Sequence, residues 1–219
     1  MKNEFASALN LPDLDARIGQ ITGCNIFSCS FSERGDILSQ WRGYSGGNGV
    51  SIGFSYEKLQ AQAALSGFRL VKCVYDDEEK VSIARDHLKI ITKNSKIASF
   101  EDLGWYIVSS FLYVAASFKD RSFQEEQEWR IVSPLINSQE GSLLVRPLVS
   151  GLMPYIKFNL LNGGDTKNLN AHSDICISEV VVGPNREQEL QMQAVMYLFD
   201  SLNVKLHSCS SSNIPFRQL

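Results

Sequence analysis

The sequence predicts a mixed α+β fold, with mostly antiparallel sheets flanked by helices. Three observations indicate it. Strand and helix patterns alternate irregularly along the 219 residues, which is not the order of a doubly wound parallel sheet. Several neighbouring strand candidates are placed so that they could pair as hairpins. No internal repeat and no linker rich in Pro, Gly or Ser divides the chain, so we expect a single domain over residues 1–219.

Composition and charge narrow the class of protein. The hydrophobic fraction of 44% and the charged fraction of 21% are typical of globular chains. The net charge of −3 gives no broad attraction to nucleic acid or to an anionic membrane. No apolar stretch reaches the ~20 residues that a membrane span needs. The five cysteines are odd in number and lack C-x-x-C spacing, which excludes a zinc motif of that type and favours reduced thiols in a cytoplasm.

The first half of the chain alternates strands and helices. Residues 1–22 predict a helical lead-in. Asp36 is expected in the first turn of a short helix, where the helix dipole favours a carboxylate, and Trp41 is expected to pack inward. Ser55 is expected to cap a helix. The predicted elements are strands at 24–33, 50–54 and 68–75 and helices at 35–44, 56–66, 76–91 and 100–116.

The second half adds strands and one more helix. Asn185 is expected to cap this last helix, because it follows the buried-looking strand that Gly183 and Pro184 end. The predicted elements are strands at 117–134, 142–147, 152–160, 175–182 and 204–208 and a helix at 186–201.

The acidic strand at 117–134 organises the rest of the prediction. Because side chains alternate along a strand, Glu126, Glu128 and Arg130 would share one face, while Trp129 would be the largest core side chain on the other. Carboxylates at i and i+2 point into the same volume, so an arginine could keep one ionised while the pKa of the other is raised. The pattern fits either a functional site or a solvated face with compensating charges.

A serine-lined strand is the second candidate element. Ser28, Ser30 and Ser32 fall on one face of the strand at 24–33. This face is either an exposed surface of small polar residues or one wall of a ligand site. The site interpretation requires that the serine strand lie next to the acidic strand.

Several blocks together carry a family resemblance. They are Ser30-Phe-Ser-Glu33, Asp36 with Leu38-Ser-Gln-Trp41, Tyr44, Gly49-Val-Ser-Ile-Gly-Phe54, Phe123-x-x-Glu126-x-Glu128-x-Arg130 and Ile214-Pro-Phe-Arg217. This order resembles a bacterial family known as domain of unknown function 2971, over roughly residues 24–217. The family is itself similar to ADP-ribosyltransferases, and its members usually begin with a block like His-Tyr-Thr. No such block stands in this sequence. Either the chain is a shortened member, which is inactive or is completed by a partner chain, or the similarity to ADP-ribosyltransferases does not extend to it.

The resemblance implies NAD as substrate and assigns roles to individual residues. Glu128 would be the catalytic carboxylate that stabilises an oxocarbenium-like transition state at the nicotinamide ribose. Glu126 would orient or activate the acceptor, and Ser30 or Ser32 would brace the ribose pocket. Further residues expected to contact the ligand are Glu33, Trp41, Tyr44, Arg130 and Arg217, with the two aromatic rings as stacking platforms.

The first functional hypothesis is therefore ADP-ribosyl transfer or NAD cleavage, as in a bacterial toxin or phage-defence effector. The alternative is a non-catalytic module that binds a ligand or a protein partner, with Glu126, Glu128, Arg130 and Arg217 as an ion-pair network. A metal-dependent hydrolase ranks lower, because no established metal motif is present. Its Mg²⁺ would be held by four carboxylates, those of Glu33, Asp36, Glu126 and Glu128. We expect no metal, no membrane partner and no nucleic acid. We expect a nucleotide or protein partner.

Overall fold

The computed structural model describes residues 24–46, 48–94, 100–137, 143–149, 151–160, 176–202, 204 and 206–215. The predicted mixed α+β class with mostly antiparallel sheets is confirmed: in the described residues three strand pairs run antiparallel, and Ile177–Val182 pairs parallel with Ser208–Ser211. Within these ranges, no helix is both long and apolar enough to cross a bilayer. The predicted helical lead-in at 1–22 lies outside the described residues.

The elements are numbered in chain order. The strands are β1 Cys24–Asn25, β2 Ser28–Ser32, β3 Val50–Phe54, β4 Arg69–Lys72, β5 Glu128–Val132, β6 Ile136–Asn137, β7 Leu144–Leu148, β8 Gly151–Tyr155, β9 Ile177–Val182 and β10 Ser208–Ser211. The helices are α1 Leu38–Tyr44, α2 Tyr56–Leu65, α3 Asp77–Asn94, α4 Phe100–Ala116 and α5 Gln188–Ser201, with a 3-10 helix at Arg121–Glu126.

The chain divides into two compact units, and the single-domain assignment stays a prediction. The first unit comprises Met1–Ser30, Val71–Gln124 and Trp129–Ile156. It contains α3 packed against α4, the β1–β6 pair and the β7–β8 hairpin. Its buried apolar side chains are those of Cys73, Ile91, Ile107, Ile131, Val132 and Ile136.

The second unit comprises Phe31–Leu70, Glu125–Glu128 and Lys157–Leu219. Its sheet has the order β10-β9-β3, with β9 parallel to β10 and antiparallel to β3. Helix α5 packs on β9 and β10. Ser55 caps α2 as predicted, because its side chain accepts a hydrogen bond from the backbone N–H of Lys58. The buried apolar side chains are those of Ile37, Trp41, Leu59, Ala63, Cys176, Val180 and Val182.

Three predicted boundaries are wrong for identifiable reasons. Asp36 precedes α1 and is not in its first turn, because its carboxylate bonds groups far away in sequence. Asn185 accepts a hydrogen bond from the N–H of Glu187, but α5 begins only at Gln188, after a turn. The last strand is Ser208–Ser211 and not 204–208, since its pairing with β9 sets its register.

Gly183 shows how tightly the second unit is packed. A Cβ atom placed on Gly183 would lie 2.9 Å from the carbonyl oxygen of Gly49 and 2.9 Å from two ring carbons of the buried Trp41. The N–H of Gly183 also donates to that same carbonyl at 2.9 Å, so the backbone has no freedom to move away. Only glycine therefore fits at this position.

We expect Gly183→Ala to lower the free energy of unfolding by about 1–3 kcal/mol, because the added methyl overpacks a rigid contact. Urea unfolding of the purified variant measures this. Gly43→Ala in α1 is the matched control: nothing lies within 4 Å of its added methyl, and alanine favours the helix by about 0.5–1 kcal/mol. Equal effects of the two variants would contradict the packing described for Gly183.

Candidate functional site

The serine strand lies directly beside the acidic strand. The sheet that contains them has the order β2-β5-β4, so β2 is hydrogen-bonded to β5. This adjacency is the geometric condition that the site interpretation required. It is confirmed for the two strands as the structure bounds them, Ser28–Ser32 and Glu128–Val132.

Two backbone hydrogen bonds set the register of this pair. The N–H of Ser133 donates to the carbonyl of Phe27 at 2.9 Å, and the N–H of Glu33 donates to the carbonyl of Gln127 at 3.2 Å. The residue numbers in both pairs add to the same value, so the strands are antiparallel without a bulge. Ser32 therefore lies opposite Glu128, in a pair whose side chains point to the same face.

Glu128 is buried, with 2% of its surface exposed. The alternative of a solvated strand face is therefore wrong for this residue. Glutamate is seldom buried unless its carboxylate has a partner, because taking a charge out of water is costly. A buried carboxylate beside a hydroxyl-bearing strand is consistent with a site and also with a structural polar network.

Glu126 does not share the strand face of Glu128, and the predicted i, i+2 carboxylate pair on a strand is wrong. Glu126 ends the 3-10 helix Arg121–Glu126, and β5 begins only at Glu128. The carboxylate of Asp120 accepts hydrogen bonds from the N–H and the hydroxyl of Ser122, which favours a tight turn over an extended chain. The half-buried Glu126 is thus near Glu128 in the chain, but strand alternation does not align the two side chains.

Gln127 connects the 3-10 helix to β5 and has a left-handed backbone conformation. Its φ is 43°, a value that side chains other than glycine rarely adopt, and it is the only such non-glycine residue described. Its side chain is exposed, while its carbonyl accepts the hydrogen bond from Glu33. Local strain therefore lies between the two candidate carboxylates.

We expect Gln127→Val to lower the free energy of unfolding by about 2 kcal/mol, because a β-branched residue is strained at positive φ. Gln127→Gly should stay within about 1 kcal/mol of the parent, because glycine relieves the strain but gains freedom in the unfolded chain. Thermal or urea unfolding distinguishes the two. A valine variant as stable as the glycine variant would show that Gln127 has an ordinary backbone conformation.

Ser32 supports the turn around Gln127. Its hydroxyl donates to the carbonyl oxygen of Glu126 at 2.8 Å and accepts from the N–H of Arg34 at 3.2 Å. The hydroxyl hydrogen is therefore used within the protein, although the residue is exposed. Ser32 holds the segment that leads into Glu128, which is a positioning role rather than an obvious contact to a ribose.

Arg130 binds the end of a helix. Its Nη1 donates to the carbonyl oxygen of Ala116, the last residue of α4, at 2.7 Å. Cations at this end of a helix are stabilised by the helix dipole and by the unpaired carbonyls. By the register of β2 and β5, Ser30 lies opposite Arg130. The guanidinium thus has a structural function in the first unit, whatever else it contacts.

The predicted stacking residues differ in exposure. Trp41 is 8% exposed, its indole N–H donates to Asp36 at 2.7 Å, and its ring packs against Gly183. This burial favours a core role over stacking on a ligand. Tyr44 is 76% exposed and so remains open to a ligand. Arg217 lies outside the described residues.

The sequence did not predict the polar cluster centred on Asp36. Its Oδ1 accepts from the indole of Trp41 and, at 2.5 Å, from the hydroxyl of Ser212, and its Oδ2 accepts from the N–H of Asn213 at 3.1 Å. Burial raises the pKa of Asp36, but these hydrogen bonds outweigh it and hold the pKa below its ordinary value. The sequence did carry one indication of this cluster, because the family resemblance includes both the block with Asp36 and Trp41 and the block that begins at Ile214. The hydrogen bonds of Asp36 to Ser212 and Asn213 hold the first block next to the start of the second.

No group of three or more His, Cys, Asp or Glu side chains suited to a metal ion occurs in the described part of the chain. Asp36, one of the four carboxylates considered for Mg²⁺, is bound instead by three hydrogen-bond donors.

Comparison with known proteins gives one match. Residues 40–131, less than half of the chain, match the model of a family described as protein of unknown function, domain of unknown function 2971. Searches of curated proteins and of solved structures give no match. The matched region begins just before Trp41 and ends within β5, so it includes Glu126, Glu128 and Arg130. The match supports the resemblance to this family and assigns no activity.

Proposed function

We propose that this protein cleaves the nicotinamide–ribose bond of NAD, or transfers the ADP-ribose group, with Glu128 as the essential carboxylate. The supporting observation is that the serine strand pairs with the strand that opens on a buried Glu128. The substrate and the chemistry rest on the resemblance to ADP-ribosyltransferases. A role as a toxin or phage-defence effector belongs to the same proposal.

Cleavage of the nicotinamide–ribose bond requires a negative charge beside the ribose. Breaking the bond between ribose C1′ and the nicotinamide nitrogen sends the electron pair to nicotinamide, which leaves as a neutral base. The ribose is left with positive charge, and a fixed anion out of water stabilises that charge far better than one in water. Water or another nucleophile then bonds to C1′ and releases a proton. Glu128 supplies the anion.

The remaining residues of the second unit have supporting roles in this proposal. Ser32 fixes the backbone at Glu126 and so the approach to Glu128. The half-buried Glu126 orients or deprotonates the acceptor in this proposal. Tyr44, which is largely exposed, offers an aromatic surface.

Incubating the purified protein with NAD and measuring free nicotinamide by chromatography tests the proposal. We expect nicotinamide release above that of a buffer control, together with ADP-ribose or an ADP-ribosylated acceptor. A folded protein that neither binds NAD nor releases nicotinamide would contradict it.

A non-catalytic binding module is the second candidate, and specific contacts favour it. The hydroxyl of Ser32 and the guanidinium of Arg130 both bind backbone carbonyls, and Trp41 is buried. In this case Glu128 belongs to a structural polar network. The two candidates predict different effects of removing the charge of Glu128.

A further inference from the structure

The hairpin of β7 and β8 exposes apolar side chains. The pair Leu148–Gly151 closes the hairpin. Near this tip, Val149 is 111% and Leu152 78% exposed, and Val145 on β7 is 61% exposed. Isolated exposed apolar residues are common, but a group of them on one small element indicates a contact surface.

One face of the hairpin is wholly apolar. Val145 pairs with Pro154 and Pro147 with Leu152, and side chains of directly paired residues point to the same side. All four residues are exposed. The opposite face carries Arg146, whose guanidinium lies 5.6 Å from the ring centre of Tyr155.

The two prolines disfavour addition of a further strand. Proline has no backbone N–H, so the pairs Pro147–Leu152 and Val145–Pro154 cannot exchange both ladder hydrogen bonds. At such positions, including Pro154, the backbone N–H would point away from the hairpin, and proline has none to offer. Prolines on outward-facing positions protect edges against strand pairing. An extended peptide is therefore a poor occupant, while the apolar tip and face remain open.

Charge favours an anionic occupant. Residues 141–164, which include the whole hairpin, contain no Asp or Glu, although the chain carries a net charge of −3. Their charged residues are Arg146 and Lys157. We expected no membrane partner because the chain as a whole has a net negative charge. The net charge does not reveal that residues 141–164 lack acidic side chains.

We propose that the β7–β8 hairpin binds an anionic lipid surface, with Val149 and Leu152 inserted among the lipids and Arg146 at the headgroups. An apolar tip with a nearby cation is the combination that holds interfacial segments to membranes. This inference is independent of the proposed activity on NAD.

Co-sedimentation with vesicles tests the inference. We expect the full chain to bind vesicles of equal parts phosphatidylcholine and phosphatidylglycerol at least about tenfold more tightly than phosphatidylcholine vesicles. The double variant Val149→Asp with Leu152→Asp should lose binding, and Arg146→Ala should weaken it about fivefold. Tyr197→Asp, at a 74% exposed position on α5, is the matched control and should bind as the parent does.

Thermal unfolding of each variant confirms that it is folded. Failure of the parent to bind anionic vesicles would overturn the inference, and so would a double variant that binds unchanged or a loss of binding in Tyr197→Asp. The alternative occupant of the hairpin is a second copy of the chain, which sedimentation equilibrium tests. A parent that dimerises but does not bind vesicles, and a double variant that stays monomeric, would assign the hairpin to a dimer interface.

Discussion

Replacing Asp36 by alanine should lower the free energy of unfolding by about 3–4 kcal/mol, because the replacement removes the acceptor of three hydrogen bonds at once. The indole N–H of Trp41 and the hydroxyl of Ser212 belong to residues that are 8% and 7% exposed, so water replaces the lost acceptor poorly. Leaving a buried donor unsatisfied costs about 1–3 kcal/mol. Urea unfolding measures the loss.

Two comparisons make this result specific. Asp86→Ala removes an exposed carboxylate whose recorded ion pair is with the exposed Lys89, and it should change stability by less than about 0.5 kcal/mol. Asp36→Asn keeps one acceptor oxygen and should lose roughly half as much as Asp36→Ala. An Asp36→Ala variant as stable as the parent would contradict the stabilising role of the polar cluster centred on Asp36.

The cluster also predicts a pH dependence. The pKa of Asp36 is lowered in the folded chain, so the ionised form contributes stability above the unfolded-state pKa of about 3.9. That contribution is lost as the pH falls through the lower folded-state pKa. The difference in stability between the parent and Asp36→Asn should therefore be constant near neutrality and shrink at acidic pH.

Replacing Glu128 by glutamine should reduce nicotinamide release by about a hundredfold or more, because one well-placed charge supplies that much stabilisation of a transition state. Glutamine keeps the shape and removes the charge. The thermal midpoint should stay nearly unchanged, since glutamine fills the same space and a lower desolvation cost offsets the weaker attraction to the partner of Glu128.

The matched control is Glu125→Gln, which neutralises an exposed carboxylate three residues away. It should leave both release and stability unaltered. If Glu128 instead serves a structural network, Glu128→Gln should lower the free energy of unfolding by about 3–5 kcal/mol. The partners of Glu128 would then lose the negative charge that compensates them. A variant with full activity would exclude Glu128 as the essential carboxylate.

Elements set by local chemistry were predictable from the sequence. The cap at Ser55 and the strand Val50–Phe54 follow from patterns within a few residues, and the structure has both. The helix predicted at 100–116 matches Phe100–Ala116, because its apolar run has no competing turn signal. The neighbouring position of β2 and β5, by contrast, was a hypothesis that only the structure could test.

Features that depend on distant contacts or on unusual backbone geometry were not predictable. Asp36 reaches Ser212, 176 positions further along the chain, so its local resemblance to a first-turn carboxylate was misleading. Gln127 adopts a positive φ that its side chain gives no reason to expect. As a result, the alternation that placed Glu126 and Glu128 on one face fails at the residue between them.

The most direct test of the proposed function is nicotinamide release from NAD, measured side by side for the parent chain and Glu128→Gln at equal folded fraction. The proposal predicts release by the parent that falls about a hundredfold in the variant, with the thermal midpoint preserved. Equal release by both chains, or none from a folded parent, would contradict it. A marked loss of stability in the variant, with no activity in either chain, would assign Glu128 to a structural network.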